Sequence, residues 1–287
     1  MTIYIDVSAA INNRAGLGRY ARSLTDVLIR ELDTPPTLFF NRTAQSQLPD
    51  AWAAIPRHSV RLGYKPWRMM AYLGQVTGVS YKRLAPNARV FHATEHLLMP
   101  VGDVPTVLTV HDLIFKLFPQ HHKRLNYWFL NAAMPLFVKR ADAIIAISQA
   151  TKNDLIRYYG TPDNKITVVH EAAAPHFHVP PASEVARVRA KYDLPERFLL
   201  CVGTIEPRKN LTRLVESLAQ LRTYDRRLKL VVVGAKGWLY EDFFERITEL
   251  GLEDAVVLPG YVPDADLPAM FRAATVYVMA SLYEGAG

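Results

Sequence analysis

The sequence contains one cysteine among its 287 residues. A single thiol excludes an internal disulfide framework and is typical of a protein in a reducing compartment. Cys201 lies in the apolar run "RFLLC" and is predicted to be a core residue. No run of 18 or more apolar residues occurs, so no membrane-spanning helix is predicted. The first residues, "MTIYIDVSAA", lack the basic-then-apolar layout of a secretory signal and are typical of a strand. We therefore predict a cytoplasmic protein.

Acidic residues are absent from 57–89, where seven basic ones occur: Arg57, Arg61, Lys65, Arg68, Lys82, Arg83 and Arg89. This distribution and the net charge of +7 favour anionic partners. Two interpretations of the stretch stay open. It is a basic amphipathic segment that lies on an anionic membrane surface, at the inner face of the cell membrane, or it is the solvated face of an ordinary helix. No nucleic-acid motif accompanies the charge, and nucleic-acid binding is not predicted.

Apolar runs alternate with helical patterns along most of the chain, which predicts an α/β fold with parallel sheets covered by helices. Segment 171–184, "EAAAPHFHVPPASE", interrupts this alternation with three prolines. We predict two Rossmann-like domains, 1–170 and 197–287, joined by a linker at 171–196. The second domain is predicted to be cut short, since its last strand run, "TVYVMAS", is followed by a Gly-rich turn and no helix.

The loops that follow the strands are the candidate ligand sites of such a fold. Gly16 and Gly18, in "NNRAGLGRY", allow a phosphate to approach the backbone at a helix N-terminus. The full dinucleotide fingerprint is missing, so a simple Gly-rich turn is the alternative. His111 follows a strand, where it is suited either to a sugar hydroxyl and proton transfer or to filling the core.

The segment "VGTIEPRKN" gives the strongest local signal. Pro207 favours a turn, and Arg208 and Lys209 are predicted in the first turn of the next helix, where cations oppose the helix dipole. Such a placement is favoured if an anion binds there, because Arg and Lys both contact phosphate oxygens well. Glu284, in "SLYEGAG", places a carboxylate beside the backbone amide of Gly285. No metal site is predicted, since four of the histidines form no zinc-like pattern and have no cysteine partners: His92, His96, His121 and His122.

Taken together, these segments resemble the retaining GT-B glycosyltransferases of family 4, also called group 1. The resemblance spans nearly the whole chain and rests on "GLGRYARSL", "FHATEHLLMP", "TVHDLIFKLFP", "AIIAISQATKNDL", "VGTIEPRKNLTRLVESL", "VVVGAKGW" and "LPGYVPDADLPAMFRAATVYVMASLYEGAG". It implies two Rossmann-like domains facing a cleft, with the second domain incomplete. It also implies transfer of a hexose from a nucleoside diphosphate sugar, without a cofactor or metal, to a saccharide or lipid-linked acceptor.

The resemblance implies a role for several of the candidate residues. Arg208 and Lys209 would neutralise the donor diphosphate with the help of Gly16 and Gly18, and His111 would face the donor hexose. The further implied contacts are backbone binding of the base at Tyr261 and Val262 and contact of Glu284 and Gly285 with the donor. Ser148 and Thr151 are interpreted as helix capping alone.

Three departures from the family pattern stand out. Thr204 replaces an arginine that many relatives carry there, and Ala286 replaces a phenylalanine. The second glutamate of the E-x7-E motif would fall after Gly287, which predicts a C-terminally truncated chain. The variants around Gly16 and His111 are most similar to mannosyltransferases of polysaccharide assembly, which suggests GDP-mannose. The alternatives left open are an inactive or donor-binding fragment and a GT-B nucleotide-sugar epimerase or phosphorylase.

Overall fold

The computed structural model describes residues 2–12 and 14–285. The first thirteen regular elements in chain order are β1 (Ile3–Asp6), α1 (Ser8–Ile11), α2 (Ala15–Glu31), β2 (Thr37–Asn41), β3 (Arg57–Val60), α3 (Tyr64–Thr77), β4 (Val90–Ala93), β5 (Thr106–Val110), α4 (Ile114–Leu117), α5 (Arg124–Arg140), β6 (Ala143–Ala146), α6 (Gln149–Tyr159) and β7 (Ile166–Val168). They are followed by α7 (Ala182–Lys191), β8 (Phe198–Val202), α8 (Leu211–Leu221), β9 (Lys229–Val233), α9 (Glu241–Glu249), β10 (Val256–Gly260), α10 (Leu267–Ala273) and β11 (Val276–Tyr277).

Strands β1 to β7 form one parallel sheet in the order β3-β2-β1-β4-β5-β6-β7, counted over the described residues. Its two faces are buried by different side chains, since Tyr4 and Ile5, neighbours in β1, belong to separate core clusters. Helices α3 and α5 contribute to the cluster of Tyr4, whereas α2 packs on the cluster of Ile5. Helices on both faces explain why the strands read as continuous apolar runs.

One strand of this sheet lacks a clear signal in the sequence. Strand β3 has the sequence "RHSV" and lies at the sheet edge, where its first three residues are exposed. An edge strand needs neither an apolar run nor alternation, so nothing in the pattern marks it. Strand β2, "TLFFN", is buried throughout and pairs with both β1 and β3.

Strands β8 to β11 form a second parallel sheet in the order β10-β9-β8-β11 within the described part of the chain. Alternate residues of β8 again enter two clusters, Leu199 and Cys201 on one face and Phe198 and Leu200 on the other. Helix α8 covers the first face through its apolar stripe, Leu211, Leu214, Val215 and Leu218. The predicted α/β class with two parallel sheets is therefore confirmed.

The described chain divides into two compact units. The first comprises residues up to 117, residues 124–172 and Gly285, and the second comprises 118–123 and 173–284. Residues 171–196, predicted to form a linker, contain helix α7, whose Val188 is buried in the core of the second unit. Asp266 at the start of α10 accepts hydrogen bonds from Arg187, Lys191 and Tyr192, each at 2.7 Å, and so holds α7 in place.

The basic stretch 57–89 is not one continuous amphipathic helix. It comprises β3, α3 and a short 3-10 turn at Lys82–Leu84. Helix α3 buries Trp67, Ala71, Gly74 and Gln75. None of the helices in the described ranges, 2–12 and 14–285, is long and apolar enough to cross a bilayer.

Candidate functional site

In the second unit, the segment after β8 forms a turn that places two cations side by side. Pro207–Lys209 forms a single 3-10 turn, and Asn210 adopts a left-handed conformation with φ of 55° before α8 begins at Leu211. The prediction that Arg208 and Lys209 occupy the first turn of this helix is therefore wrong. The left-handed residue breaks the helical path, so both cations precede the helix.

Arg208 and Lys209 both bind Glu284, which lies 75 residues beyond Lys209 in the chain. Lys209 Nζ donates to Glu284 Oε1 at 2.6 Å, and the Arg208 guanidinium pairs with Oε2 of the same carboxylate. The Arg208 carbonyl accepts from the Leu282 N–H at 2.9 Å, and the Tyr283 carbonyl accepts from Arg208 Nη1 at 3.1 Å. These backbone contacts fix the segment that carries Glu284. Three residues predicted for the donor site are thus brought together.

A second carboxylate, Glu206, completes this cluster. It is buried, and its Oε1 accepts from Arg208 Nη2 at 2.6 Å. Burial opposes ionisation of Glu284, but hydrogen bonds from Lys209 and Ser281 and the two nearby cations outweigh it and hold its pKa below the ordinary value. Two cations therefore face two carboxylates. The sequence-based prediction treated Arg208 and Lys209 as cations without carboxylate partners and did not anticipate this charge balance. Glu206 is the first residue of the "EPRKN" segment, and this proximity to Arg208 and Lys209 was the signal in the sequence that could have identified it.

Glycines let the backbone pass close to this cluster. Gly203 and Gly234 follow β8 and β9 and have φ of 152° and 150°. A Cβ on Gly234 would overlap the Gly203 carbonyl oxygen, and one on Gly203 would lie 3.0 Å from Lys209 Cε. The aliphatic part of Lys209 therefore lies directly over the main chain at Gly203.

Tyr261 and Val262, predicted to contact the donor base, follow β10 in the same unit. The Tyr261 side chain is 74% exposed, and the Val262 side chain is buried in the core with Leu267 and Met270. Backbone binding of a ligand at these residues stays a prediction.

In the first unit, His111 follows β5. Both nitrogen atoms of its ring and its backbone N–H have polar partners. Nε2 lies 2.9 Å from the Thr94 carbonyl oxygen, Nδ1 lies 3.3 Å from Glu171 Oε1, and the backbone N–H donates to His96 Nε2 at 3.0 Å. Since a carbonyl only accepts, the Nε2 atom carries a proton. Burial lowers the pKa of His96 to about 4, which keeps that ring neutral and able to accept. The position of His111 is therefore strictly defined.

A buried group of charged side chains lies at the ends of β1 and β4, and it has no counterpart in the sequence-based candidates. Glu95 is 3% exposed; its Oε2 pairs with Arg14, and its Oε1 has no hydrogen-bond partner among the described residues. Burial, together with repulsion from Glu95, raises the pKa of Asp6 to about 7. The Arg14 guanidinium carbon lies 3.7 Å from the centroid of the Tyr64 ring. A polar residue at or just past the end of a buried strand, as in "IYID" and "FHATE", was the available signal for Asp6 and Glu95.

Gly16 and Gly18 both lie in the first turns of α2, and their surroundings differ. Gly16 is exposed, and a Cβ added to it would have no atom within 4 Å, whereas a Cβ on Gly18 would lie 2.7 Å from the Ala9 carbonyl oxygen. Gly18 is thus required for the packing of α2 against α1. Gly16 leaves the start of a 17-residue helix open to a ligand.

Ser148 caps α6, as predicted, by accepting from the Thr151 N–H at 3.1 Å. Its hydroxyl also donates to the Gly285 carbonyl oxygen, and Thr151 Oγ1 donates to the His111 carbonyl oxygen at 3.0 Å. A Cβ on Gly285 would overlap the His111 carbonyl oxygen, so glycine is required at this position. Ala286 and Gly287 lie outside the described residues.

Two family models cover most of the chain. The model for Glycosyltransferase Family 4 matches residues 14–175, and the model for Glycosyl transferases group 1 matches residues 184–287. O-antigen chain mannosyltransferase B of Escherichia coli is 26% identical over 289 residues, which cover 95% of this chain and 74% of that protein. Serotype-specific mannosyltransferase WbdA of Escherichia coli is 30% identical over 201 residues, 66% of this chain and 24% of that protein.

Among solved structures, WaaG, a glycosyltransferase involved in lipopolysaccharide biosynthesis, is similar with a TM-score of 0.74 at 18% identity. The match covers 100% of this chain and 76% of WaaG. This likeness concerns the fold and confirms the GT-B class expected from the sequence. The family model that covers residues 14–175 matches more than half of the 287 residues, and the chain therefore belongs to glycosyltransferase family 4.

Proposed function

We propose that this chain transfers a hexose from a nucleoside diphosphate sugar to a saccharide or lipid-linked acceptor, with retention of configuration at the anomeric carbon. The observation that carries the proposal is the cluster in which Arg208 and Lys209 converge on Glu284 at the end of β8. Cations at the carboxyl end of a parallel strand are placed where open α/β sheets bind nucleotides.

In the proposed reaction the leaving group is a nucleoside diphosphate, so negative charge grows on its phosphates as the sugar departs. Positively charged hydrogen-bond donors whose positions are fixed before the reaction stabilise such charge most effectively. Arg208 and Lys209 are held by the backbone turn, by Glu206 and by Glu284, so their positions require little reorganisation. A bound diphosphate would share the two cations with Glu284, whose carboxylate is also suited to sugar hydroxyls.

The proposed donor is GDP-mannose, and the proposed setting is polysaccharide assembly. This choice is supported by the two Escherichia coli relatives, both of which are named as mannosyltransferases. The proposed reaction uses no metal or cofactor, because Arg208 and Lys209 supply the positive charge. It takes place in the cytoplasm, at or near the inner face of the cell membrane.

A transfer assay with three donors tests the proposal. GDP-mannose, UDP-glucose and ADP-glucose are each incubated with the chain, with and without a mannoside acceptor, and released nucleoside diphosphate and glycan product are measured. We expect acceptor-dependent release of GDP, an α-linked product by NMR and an unchanged rate in EDTA. Acceptor-independent epimerisation, or phosphorolysis in added phosphate, would instead assign the chain to another GT-B reaction. Binding of GDP without turnover would limit it to donor binding.

A further inference from the structure

A cavity opens in the first unit at the amino end of the sheet, away from the edge that carries His111. Its volume is about 180 Å³, whereas a water molecule takes about 30 Å³ of the liquid. Thr106, the first residue of β5, and Asp142, which precedes β6, both line it. His111 follows the other end of β5, and a strand of this length spans about 16 Å. The cavity is therefore a feature that the proposed sugar transfer does not use.

The walls of this cavity come from the end of α3, the loop before β5 and the end of α5. Gly78 ends α3 with φ of 76°, and a Cβ added to it would have no atom within 4 Å, so the space beside it is open. The loop contributes apolar side chains, among them Leu98, Val101 and Val104. The other lining side chains are polar: Gln75, Ser80, Thr106, Arg140 and Asp142.

Gln75 presents a buried amide to the cavity. The residue is only 5% exposed, and its Nε2 donates to the Leu98 carbonyl oxygen at 3.0 Å, which defines the orientation of the amide. Its Oε1 accepts no hydrogen bond from the described residues and is not sealed in the interior. A buried carbonyl oxygen without a donor is costly, so a molecule in the cavity has to supply the donor.

Arg140 and Asp142 are the two charged residues that line the cavity, and their charges are opposite. The Arg140 guanidinium has no hydrogen-bond or ion-pair partner in the described part of the chain. Asp142 uses Oδ2 to accept from the Thr106 N–H at 2.7 Å and from the Thr106 hydroxyl at 2.9 Å. Its Oδ1 has no hydrogen bond among the described residues. One donor group and one acceptor atom are thus free to bind a ligand.

The charged groups next to the cavity are already satisfied. Lys82 donates to Asp103 at 2.6 Å. Lys165 interacts electrostatically with Asp142, and its ammonium group donates to the carbonyl oxygens of Val138 and Lys139 at 2.9 and 3.0 Å. The cavity itself therefore favours neither an anion nor a cation, although the chain carries a net charge of +7.

The polar groups of the lining require a ligand that both donates and accepts hydrogen bonds. The Arg140 guanidinium and the Ser80 hydroxyl donate, whereas Gln75 Oε1 and Asp142 Oδ1 accept. An ion of either sign would be repelled by one of the two charges, and an apolar molecule would leave all four groups unpaired. Hydroxyl groups act in both roles. A neutral molecule with several hydroxyls and a hydrocarbon ring therefore matches the polar groups and the apolar loop together.

We propose that this cavity binds one neutral sugar residue, which gives the first unit a carbohydrate site apart from the site of transfer. Arg140 and Ser80 donate to the sugar hydroxyls, Asp142 and Gln75 accept from them, and the apolar loop contacts the C–H groups of the ring. The choice of a sugar rests on the proposed function, in which the acceptor is a saccharide. A saccharide bound here stays attached to the protein through a residue remote from its reacting end.

NMR of the isotope-labelled 287-residue chain tests this proposal. The side-chain amide signal of Gln75 is followed during titration with methyl α-mannoside, glycine or inorganic phosphate, each with and without GDP. We expect methyl α-mannoside to shift this signal, with a dissociation constant on the order of millimolar, and GDP not to displace it. A response to glycine or phosphate in place of the mannoside would show that the cavity binds an ion or a zwitterion and would overturn the proposal.

Substitutions at the end of α5 identify the binding groups. Arg140→Met removes the unpaired guanidinium from an exposed position and should weaken mannoside binding about tenfold or more. Lys139→Met is the matched control, because Lys139 is also exposed but does not line the cavity. Gln75→Leu assigns the amide signal and should also weaken binding, measured by calorimetry. Because it leaves the Leu98 carbonyl oxygen without its donor, circular dichroism checks its fold, and Arg140→Met remains the decisive variant.

The same measurements distinguish this site from the site of transfer. Lys209→Met should leave the response of the Gln75 signal to the mannoside unchanged, because Lys209 belongs to the second unit. Mannoside binding at Gln75 without any sugar transfer would remove the proposed function and leave this site standing. Transfer without mannoside binding at Gln75, equal effects of Arg140→Met and Lys139→Met, or loss of the response in Lys209→Met would each overturn the second carbohydrate site.

Discussion

Single side chains decide the charge balance of the candidate donor site. Lys209 has its aliphatic part over Gly203 and its ammonium group on Glu284, and Arg208 is shared by Glu206 and Glu284. Both cations are already balanced by carboxylates, so a diphosphate gains less from them than it would from free charges. The gain stays large enough to measure, because charged hydrogen bonds contribute about 1.5–3 kcal/mol each.

Lys209→Met removes one of the two cations and keeps an aliphatic chain over Gly203. Affinity for GDP should fall about ten- to hundredfold, while affinity for guanosine changes by less than about twofold, because only the phosphates lose a partner. Calorimetry measures both. Arg213→Met, an exposed cation on α8 that pairs with Glu216, is the control and should leave both affinities unchanged. If Lys209→Met weakens GDP and guanosine equally, Lys209 does not bind the phosphates.

Asp6 makes stability depend on pH in an unusual direction. Its pKa is raised to about 7, so the folded state holds a proton that the unfolded chain releases near pH 4. Its contribution to stability is therefore complete below that lower value and is lost as the pH rises through about 7. His92 acts in the opposite sense, because burial lowers its pKa to about 4. The folded state then resists protonation, and stability falls as the pH drops from about 6.5 toward 4.

Asp6→Asn isolates the first of these effects. The difference in unfolding free energy between the variant and the parent should move in favour of the variant between pH 4 and pH 8, by on the order of 3 kcal/mol. Any fixed cost of the amide is the same at every pH and does not affect the slope. Urea unfolding at several pH values, followed by circular dichroism, provides the measurement. A difference that stays flat over this range would mean that Asp6 is ionised in the folded protein.

At the scale of elements, the ends of β8 and β9 are defined by main-chain contacts. The Gly203 N–H donates to the Val233 carbonyl oxygen at 2.8 Å, and the Gly234 N–H donates to the Gly260 carbonyl oxygen at 2.9 Å. These bonds extend the ladder beyond the strands and bring the chain close to Lys209. The cluster of Arg208, Lys209 and Glu284 therefore depends on two positions that themselves carry no side chain.

Gly234→Ala should disturb this arrangement because the new methyl group would overlap the Gly203 carbonyl oxygen. We expect a loss of about 3 kcal/mol or more in the free energy of unfolding, together with weaker GDP binding. Gly251→Ala is matched to it, since Gly251 also has positive φ, at 61°, but has no atom within 4 Å of the added carbon. That control should lose only about 1–2 kcal/mol and keep its GDP affinity. Equal losses in the two variants would assign the effect to backbone strain alone.

Sequence patterns were sufficient to predict an element where the local run of side chains determines it. The apolar runs that became β1, β4, β5, β6, β8 and β9 and the stripe of α8 follow directly from burial on both faces of a parallel sheet. Strand β3 was not predictable because its exposed edge position requires no apolar pattern. The start of α8 was misplaced because nothing before Asn210 signals its left-handed conformation.

The residues of the candidate site were harder to predict from the sequence than the strands and helices. Arg208, Lys209 and Glu284 were recognised together only through the family resemblance, since residues 75 positions apart have no local signal that joins them. Glu206, Asp6 and Glu95 were missed although each lies at a strand end or in the loop that follows one. A carboxylate in such a loop looks like any solvated loop residue until the fold buries it.

For the molecule as a whole, the uncovered surface beside β11 is expected to govern its behaviour in solution. β11 pairs with β8 on one side, and Val276, Tyr277, Met279 and Leu282 are each more than 40% exposed. Apolar side chains grouped at the edge of a sheet favour dye binding and association between copies.

Val276→Lys places a charge in this apolar group. Fluorescence of the bound dye ANS should fall roughly by half, and any concentration-dependent association seen by light scattering should decrease. Ile156→Lys on α6 changes a single exposed apolar residue elsewhere and serves as the control. Unchanged dye binding in the Val276 variant would show that the dye binds at another surface.

The central position of β1 has a consequence for synthesis of the chain. β1 is completed only when β4 pairs with it, and the partners Ile3 and Val90 are 87 residues apart (90 − 3). At translation rates of about 5–20 residues per second, β1 waits roughly 4–17 s on the ribosome for this neighbour. During that interval β1, an interior strand of the sheet, has at most one edge paired, through β2. The nascent segment 1–90 is therefore the part of the chain that we expect chaperones to bind during translation.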